Sequence, residues 1–207
     1  MFKSIQWKII AIFLLLTVSV MIVVGTFLLQ NITAYYYNEF SNSLREQVFT
    51  PDVTKELADA ASSDDAVDRM LELMKVYSIR MGIDSFRNYY ILDDSLKVLG
   101  GSDNSVKSFG SAPNLLLALG GSTGEETDKS ADIMDYAIPV MHGGKTEYII
   151  YITDTKVEVN EIIGNMFINI FWALLFGMLI SAIMGFFLSR TIISPISTLQ
   201  HRSESMA

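Results

Sequence analysis

IIGNMFINIFWALLFGMLISAIMGFFL, residues 162–188, decides how the rest of the chain is read. No charged residue occurs between Glu161 and Arg190. That gap exceeds the roughly 20 apolar residues a helix needs to cross a hydrocarbon core of about 30 Å. The stretch is too long for a buried core helix and too far from the start to be a leader. A second uncharged run lies between Lys8 and Glu39, with its most apolar part at residues 9–29. A signal-peptide core is usually about 7–15 residues and ends at an A-x-A-like site. This run is longer, and Gln30-Asn31-Ile32-Thr33-Ala34 leads directly into Tyr35-Tyr36-Tyr37, so an uncleaved anchor is expected. Two apolar runs also explain why half of the 207 residues are hydrophobic and the mean hydropathy is +0.34.

Basic residues near the ends of a span stay on the cytoplasmic side. Lys3 and Lys8 precede the first run, and Arg190 and Arg202 follow the second. Residues 1–8 are therefore expected inside, 9–29 and 162–189 in the membrane, 30–161 outside, and 190–207 inside again. Trp7 and Tyr35, Tyr36, Tyr37, Phe171 and Trp172 are candidates for interfacial aromatic belts. With those four bases and Glu204 set aside from 15 Lys+Arg and 23 Asp+Glu, acids outnumber bases two to one between the runs. Such a surface excludes nucleic acid as an expected partner.

The segment between the runs has α+β patterning. Gln30 to Phe49 lacks Gly and Pro and continues the first run as a helical stalk, which Pro51 ends. Thr50-Pro51 opens a short helix through Ala60. Ser62 with Asp65 has the spacing of a capping box. Val67, Met70, Leu71, Met74 and Met81 then form an apolar stripe on a helix of about five turns. From Arg87 the period changes to that of strands: Arg87 to Leu92 and Leu96 to Leu99 flank the turn Asp93-Asp94-Ser95. A short helix is expected from Pro113 to Leu119, then a polar loop or edge strand from Gly120 to Lys129. Two longer strands, Ile133 to Met141 and Thr146 to Thr153, flank His142-Gly143-Gly144-Lys145, and Pro139 marks the first as an edge or bulged strand. The expectation is one antiparallel sheet with helices on one face, followed by a long helix from about Lys156.

Tyr89-Tyr90-Ile91-Leu92-Asp93-Asp94-Ser95-Leu96-Lys97-Val98-Leu99-Gly100-Gly101-Ser102 resembles the strand-turn-strand core of extracytoplasmic PAS-like (Cache) sensor domains. Tyr136-Ala137-Ile138-Pro139-Val140, Gly143-Gly144 and Tyr148 to Ile152 are similar to their closing hairpin. Arg190-Thr191-Ile192-Ile193-Ser194-Pro195-Ile196-Ser197-Thr198-Leu199 resembles the start of a HAMP linker. Independently of that likeness, Ile192, Ile196, Leu199, Ser203 and Met206 are spaced as a coiled-coil seam with one polar member. Taken together, the pieces resemble the input half of membrane sensor histidine kinases of the type that monitor phosphate or cell-wall state; chemoreceptors share the layout. The likeness implies a homodimer, a small extracellular ligand, and a cytoplasmic kinase domain and response regulator downstream. A membrane-anchored binding domain without output is the alternative outside signalling, and the seam after Arg190 counts against it.

Within these 207 residues no catalytic module is expected, and no cofactor. Zero cysteines exclude disulfides, thiolate zinc sites and thiol nucleophiles. His142 and His201 fall on opposite sides of the membrane, so no paired-histidine metal site is expected. Gly120-Gly121-Ser122-Thr123-Gly124 matches G-x-S-x-G, but a helix rather than a strand precedes it, so it reads as a turn. The acidic groups Asp59, Asp64, Asp65 and Asp68, and Glu125, Glu126 and Asp128, suit either a solvated surface or cations. Because the family's pocket lies over its sheet, Arg87, Tyr89, Tyr136 and Tyr148 are the candidate ligand contacts; a half-buried sheet is the alternative. Gly177, Ser181 and Gly185 recur every fourth residue, the spacing of a helix-packing face. With Pro195, Ile196 and Leu199 they are the candidate transmission residues.

Overall fold

The computed structural model describes residues 5–125 and 131–188. Pro195, Ile196, Leu199 and the seam around them lie outside the described residues, as do His201 and the acids Glu126 and Asp128. The chain forms two units, residues 1–32 with 161–207, and residues 33–160.

Helix α1, Ile5–Ser43, is long and carries no charge between Lys8 and Glu39, and a π-helical turn at Leu44–Val48 extends it. Phe49 N–H closes that turn on Leu44 O. The helix ends where Pro51 forces Thr50 into an extended conformation (φ −65°, ψ 162°). Helix α2, Pro51–Ala61, follows directly.

Helix α3, Ala66–Met81, starts at Asp65, and the expected capping box is absent. Ser62 instead closes α2, its hydroxyl donating to Ala58 O. The helix buries Met70, Met74 and Met81 completely, so the stripe read from the sequence is core.

The sheet is antiparallel, in the order β2-β1-β4-β3, with β1 Arg87–Leu92, β2 Val98–Gly101, β3 Met134–His142 and β4 Lys145–Asp154. Strand β2 starts two residues later than expected. Asp93 Oδ1 accepts from both Ser95 N and Lys97 N, which spends Leu96 (φ 62°) on the turn. The β3–β4 turn is Gly143-Gly144, both at positive φ (58° and 80°), which is type I′ chemistry. Pro139 lies on β3, an edge strand, and the register slips at Val140/Met141. Beyond that edge Gly124 forms a single bridge to Ala137, with bonds of 2.8 and 2.9 Å.

Both faces of the sheet are covered, which corrects the expectation of helices on one face. Phe49 stacks on Tyr136, and Leu71 of α3 packs against Gly100, so the stalk end and α3 cover the face that carries Tyr89, Ile91, Tyr136 and Ile152. Helix α4, Pro113–Leu119, lies on the other face, packing Leu115 and Ala118 against Tyr90, Leu92, Ala137, Ile149 and Tyr151. Helix α5, Val157–Leu188, follows β4 with two residues, Thr155 and Lys156, between them.

In the other unit, α5 packs along α1. A Cβ at Gly177 would lie 3.2 Å from Thr17, one at Gly185 3.1 Å from Ile10, and one at Gly25 3.2 Å from Ile170. Ser181 hydrogen-bonds Thr17. Outside this seam the helices expose large apolar side chains such as Leu15, Phe27, Trp172, Phe176 and Phe187.

Candidate functional site

Charged and aromatic side chains collect where β1 starts and β4 hands over to α5. Arg87 pairs with Asp154 across the sheet, and its Nε donates to Asp154 Oδ2 at 2.9 Å. Its Nη1 donates to Met81 O at 2.9 Å, and the guanidinium lies 5.0 Å from the Phe40 ring centre. The other Asp154 oxygen accepts from Lys156 N–H at 2.8 Å. Lys156 is only 5% exposed. Its ammonium donates to Ala131 O and lies 4.9 Å from the Tyr37 ring centre.

Two cations thus cap two aromatics one turn apart on the stalk, both rings buried, and one carboxylate links the Arg87 guanidinium to the Lys156 backbone N–H. Lys156 sits at φ 59°, a conformation that costs a side-chain-bearing residue about 1 kcal/mol or more. The surrounding bonds offset that strain. Asp84 holds the approach to β1: its carboxylate accepts from Phe86 N and Arg87 N, which lowers its pKa.

A second polar group lies on the α4 face. Asp135, half-buried on β3, accepts from Tyr151 OH at 2.9 Å and from the Asn114 amide at 3.0 Å. Burial raises the Asp135 pKa, although both hydrogen bonds and Lys156 pull it down. Burial, with the Asp135 charge behind it, also raises that of Tyr151. Phe109 lies edge-on to Tyr151 and Tyr90, with ring centres 4.8 and 4.9 Å apart.

Alternation puts the four expected ligand contacts, Arg87, Tyr89, Tyr136 and Tyr148, on the opposite face. Tyr89 and Tyr136 flank Ile152 in register and are 3% and 2% exposed. Burial pushes the Tyr136 hydroxyl up to about 12. Arg87 is engaged as described above. Tyr148 stands apart, lining a cleft of about 450 Å³ at the hairpin tips with Asp93, Asp94, His142 and Glu147. The structure therefore brings Arg87, Tyr89 and Tyr136 together, as core and strand-end contacts, and leaves Tyr148 elsewhere.

Tyr37, expected in an interfacial belt, is buried against Lys156 instead. Gly177, Ser181 and Gly185 face α1 of the same chain. Asp59 lies in a cleft of about 510 Å³ between α2 and α3 with Glu56, Arg69 and Glu72. Among the described residues no three His, Asp or Glu side chains form a metal-holding group.

Sequence reasoning missed Asp154, Lys156, Asp135, Tyr151 and Asn114. For Asp154 and Lys156 a signal existed: an acid and a base between a strand-like run and an apolar helix.

No protein-family model matches the chain. The chain is similar to the sensor protein kinase WalK of Staphylococcus haemolyticus (strain JCSC1435), with 22% identity over 213 residues that cover 99% of this chain and 35% of that protein. The chain thus spans about a third of the length of a sensor kinase that it resembles, and it carries two helices long and apolar enough to cross a membrane.

Proposed function

We propose that this chain is the input region of a two-component sensor, with residues 30–161 outside the cell and both membrane-flanking ends in the cytoplasm. The observation that carries this reading is the handover at Asp154–Val157. A central strand of the folded unit passes, with two residues between, into an apolar helix of 32 residues. A displacement of β4 is a displacement of that helix. On this reading the outer domain is PAS-like, its strand order being that of a sheet with one edge reduced to the Gly124 bridge. Residues 190–207 begin a HAMP linker that leads to a histidine kinase and its response regulator, and the working unit is a homodimer in the cell membrane. Arg87 serves transmission in this arrangement, because its donors are engaged by Asp154 and Met81.

Topology is the direct test. The sequence has no cysteine, so Ser122→Cys, on the surface of the outer unit, provides a single thiol. A membrane-impermeant maleimide should label it in intact cells. Labelling only after lysis would reject the topology and the proposal with it.

A further inference from the structure

We propose that Lys156 is the catch of a latch that sets the resting position of α5 against the stalk, with the Tyr37 ring as its seat and Asp154 as the link to Arg87. Three observations converge on Lys156. It is the residue at which β4 becomes α5, and its backbone adopts a left-handed conformation that glycine would take without strain. Its side chain is almost wholly buried, yet carries a charge, and its hydrogen-bond acceptor and aromatic partner come from two different segments, Ala131 and the stalk. Its N–H is held by the carboxylate that also binds Arg87, whose guanidinium rests on Phe40, one turn along the same helix.

A buried cation over a ring is a discrete contact, made or lost, and so suits a two-position device. When β4 shifts along β1, the Arg87–Asp154 pair is strained, Asp154 releases the Lys156 amide, and the left-handed turn relaxes. The start of α5 then moves relative to the stalk. Thr155 N–H, bonded to Phe86 O at 3.1 Å, is the remaining tether and serves as the pivot. This inference rests on the input-region reading for its biological meaning, but the contact itself can be tested separately.

Spin labels at Glu39→Cys on the stalk and Glu158→Cys on α5, both exposed, report the separation in the chain reconstituted into lipid nanodiscs. The unaltered latch should give one narrow distance distribution. Lys156→Met keeps the side-chain length and removes the charge, and should broaden the distribution or move its mean by about 2 Å, the size of helix shifts at switching interfaces. Lys156→Arg should restore it, and Tyr37→Leu should reproduce the Met result.

In the protein at its natural length, Lys156→Met should change basal autophosphorylation about fivefold or more, the lower end of common coupling strengths. An unchanged distance distribution with Lys156→Met overturns the latch, as does a changed distribution with unaltered output in an active kinase. A parent protein with no autophosphorylation overturns the input-region reading, while the distance measurement still decides the latch.

Discussion

Substituting Gly124 by alanine tests the packing of the α4 face. An ideal Cβ at Gly124 would lie 2.2 Å from Asn114 O, 2.5 Å from its Cα and 2.7 Å from its carbonyl carbon. These atoms are backbone, in the first turn of α4, and no rotamer change relieves them. Favourable contacts between heavy atoms begin near 3.5 Å, so the loop must retreat by about 1 Å. The retreat would stretch the 2.8 and 2.9 Å bonds between Gly124 and Ala137 past useful length.

Overpacking costs about 1–3 kcal/mol, and each lost bond about 0.5–1.5 kcal/mol net. With two bonds at risk the total expected is about 2–6 kcal/mol, which at about 4 °C per kcal/mol for a unit of this size lowers the midpoint of thermal unfolding by roughly 8–24 °C. Tryptophan fluorescence does not report the change, because Trp7 and Trp172 both lie in the apolar helices. Hydrogen exchange does: the Ala137 amide, which donates to Gly124 O, should lose protection first. Gly110→Ala is the control, since nothing lies within 4 Å of its Cβ position, and it should stay within about 0.5 kcal/mol. A Gly124→Ala protein that melts within about 2 °C of the parent, with Ala137 still protected, would refute the reasoning.

Two further outcomes follow from the polar and small-residue clusters. The raised pKa of Asp135 means that its contribution to stability is fully present below the unfolded value and is lost as pH rises through the folded one. The stability difference between the parent and Asp135→Asn, measured by urea unfolding from pH 3 to 8, should therefore favour the parent most at acid pH and shrink as pH rises; a flat difference would exclude titration of Asp135 in that range. In the apolar unit, Ser181→Leu should lower the disulfide yield of a Gly25→Cys, Ile170→Cys pair, because the bulk meets Thr17, whereas Phe176→Leu on the exposed face should leave it unchanged. Equal yields would show that the small residues do not form the packing seam.

What the sequence determined by itself was local. Two uncharged runs, the stalk stopped by Pro51, the methionine stripe of α3, the Gly143-Gly144 turn and the edge position of Pro139 each follow from spacing or from the backbone demands of one residue type. The faces of the sheet were not legible, because both are buried. Tyr148 to Ile152 is large and apolar at every position, so alternation carries no sign of which side meets the helices. The candidate site was legible only in part. Arg87 was singled out, but its partner Asp154 stands 67 residues away, and its engagement depends on β1 lying beside β4. Asn114 and Tyr151 meet at Asp135 only once α4 lies on that face. Lys156 reads in the sequence as a surface lysine before a membrane helix. Its burial, its left-handed backbone and its place over Tyr37 come from long-range contacts that constrain it more strongly than its own propensities do, and only the tertiary structure supplies them.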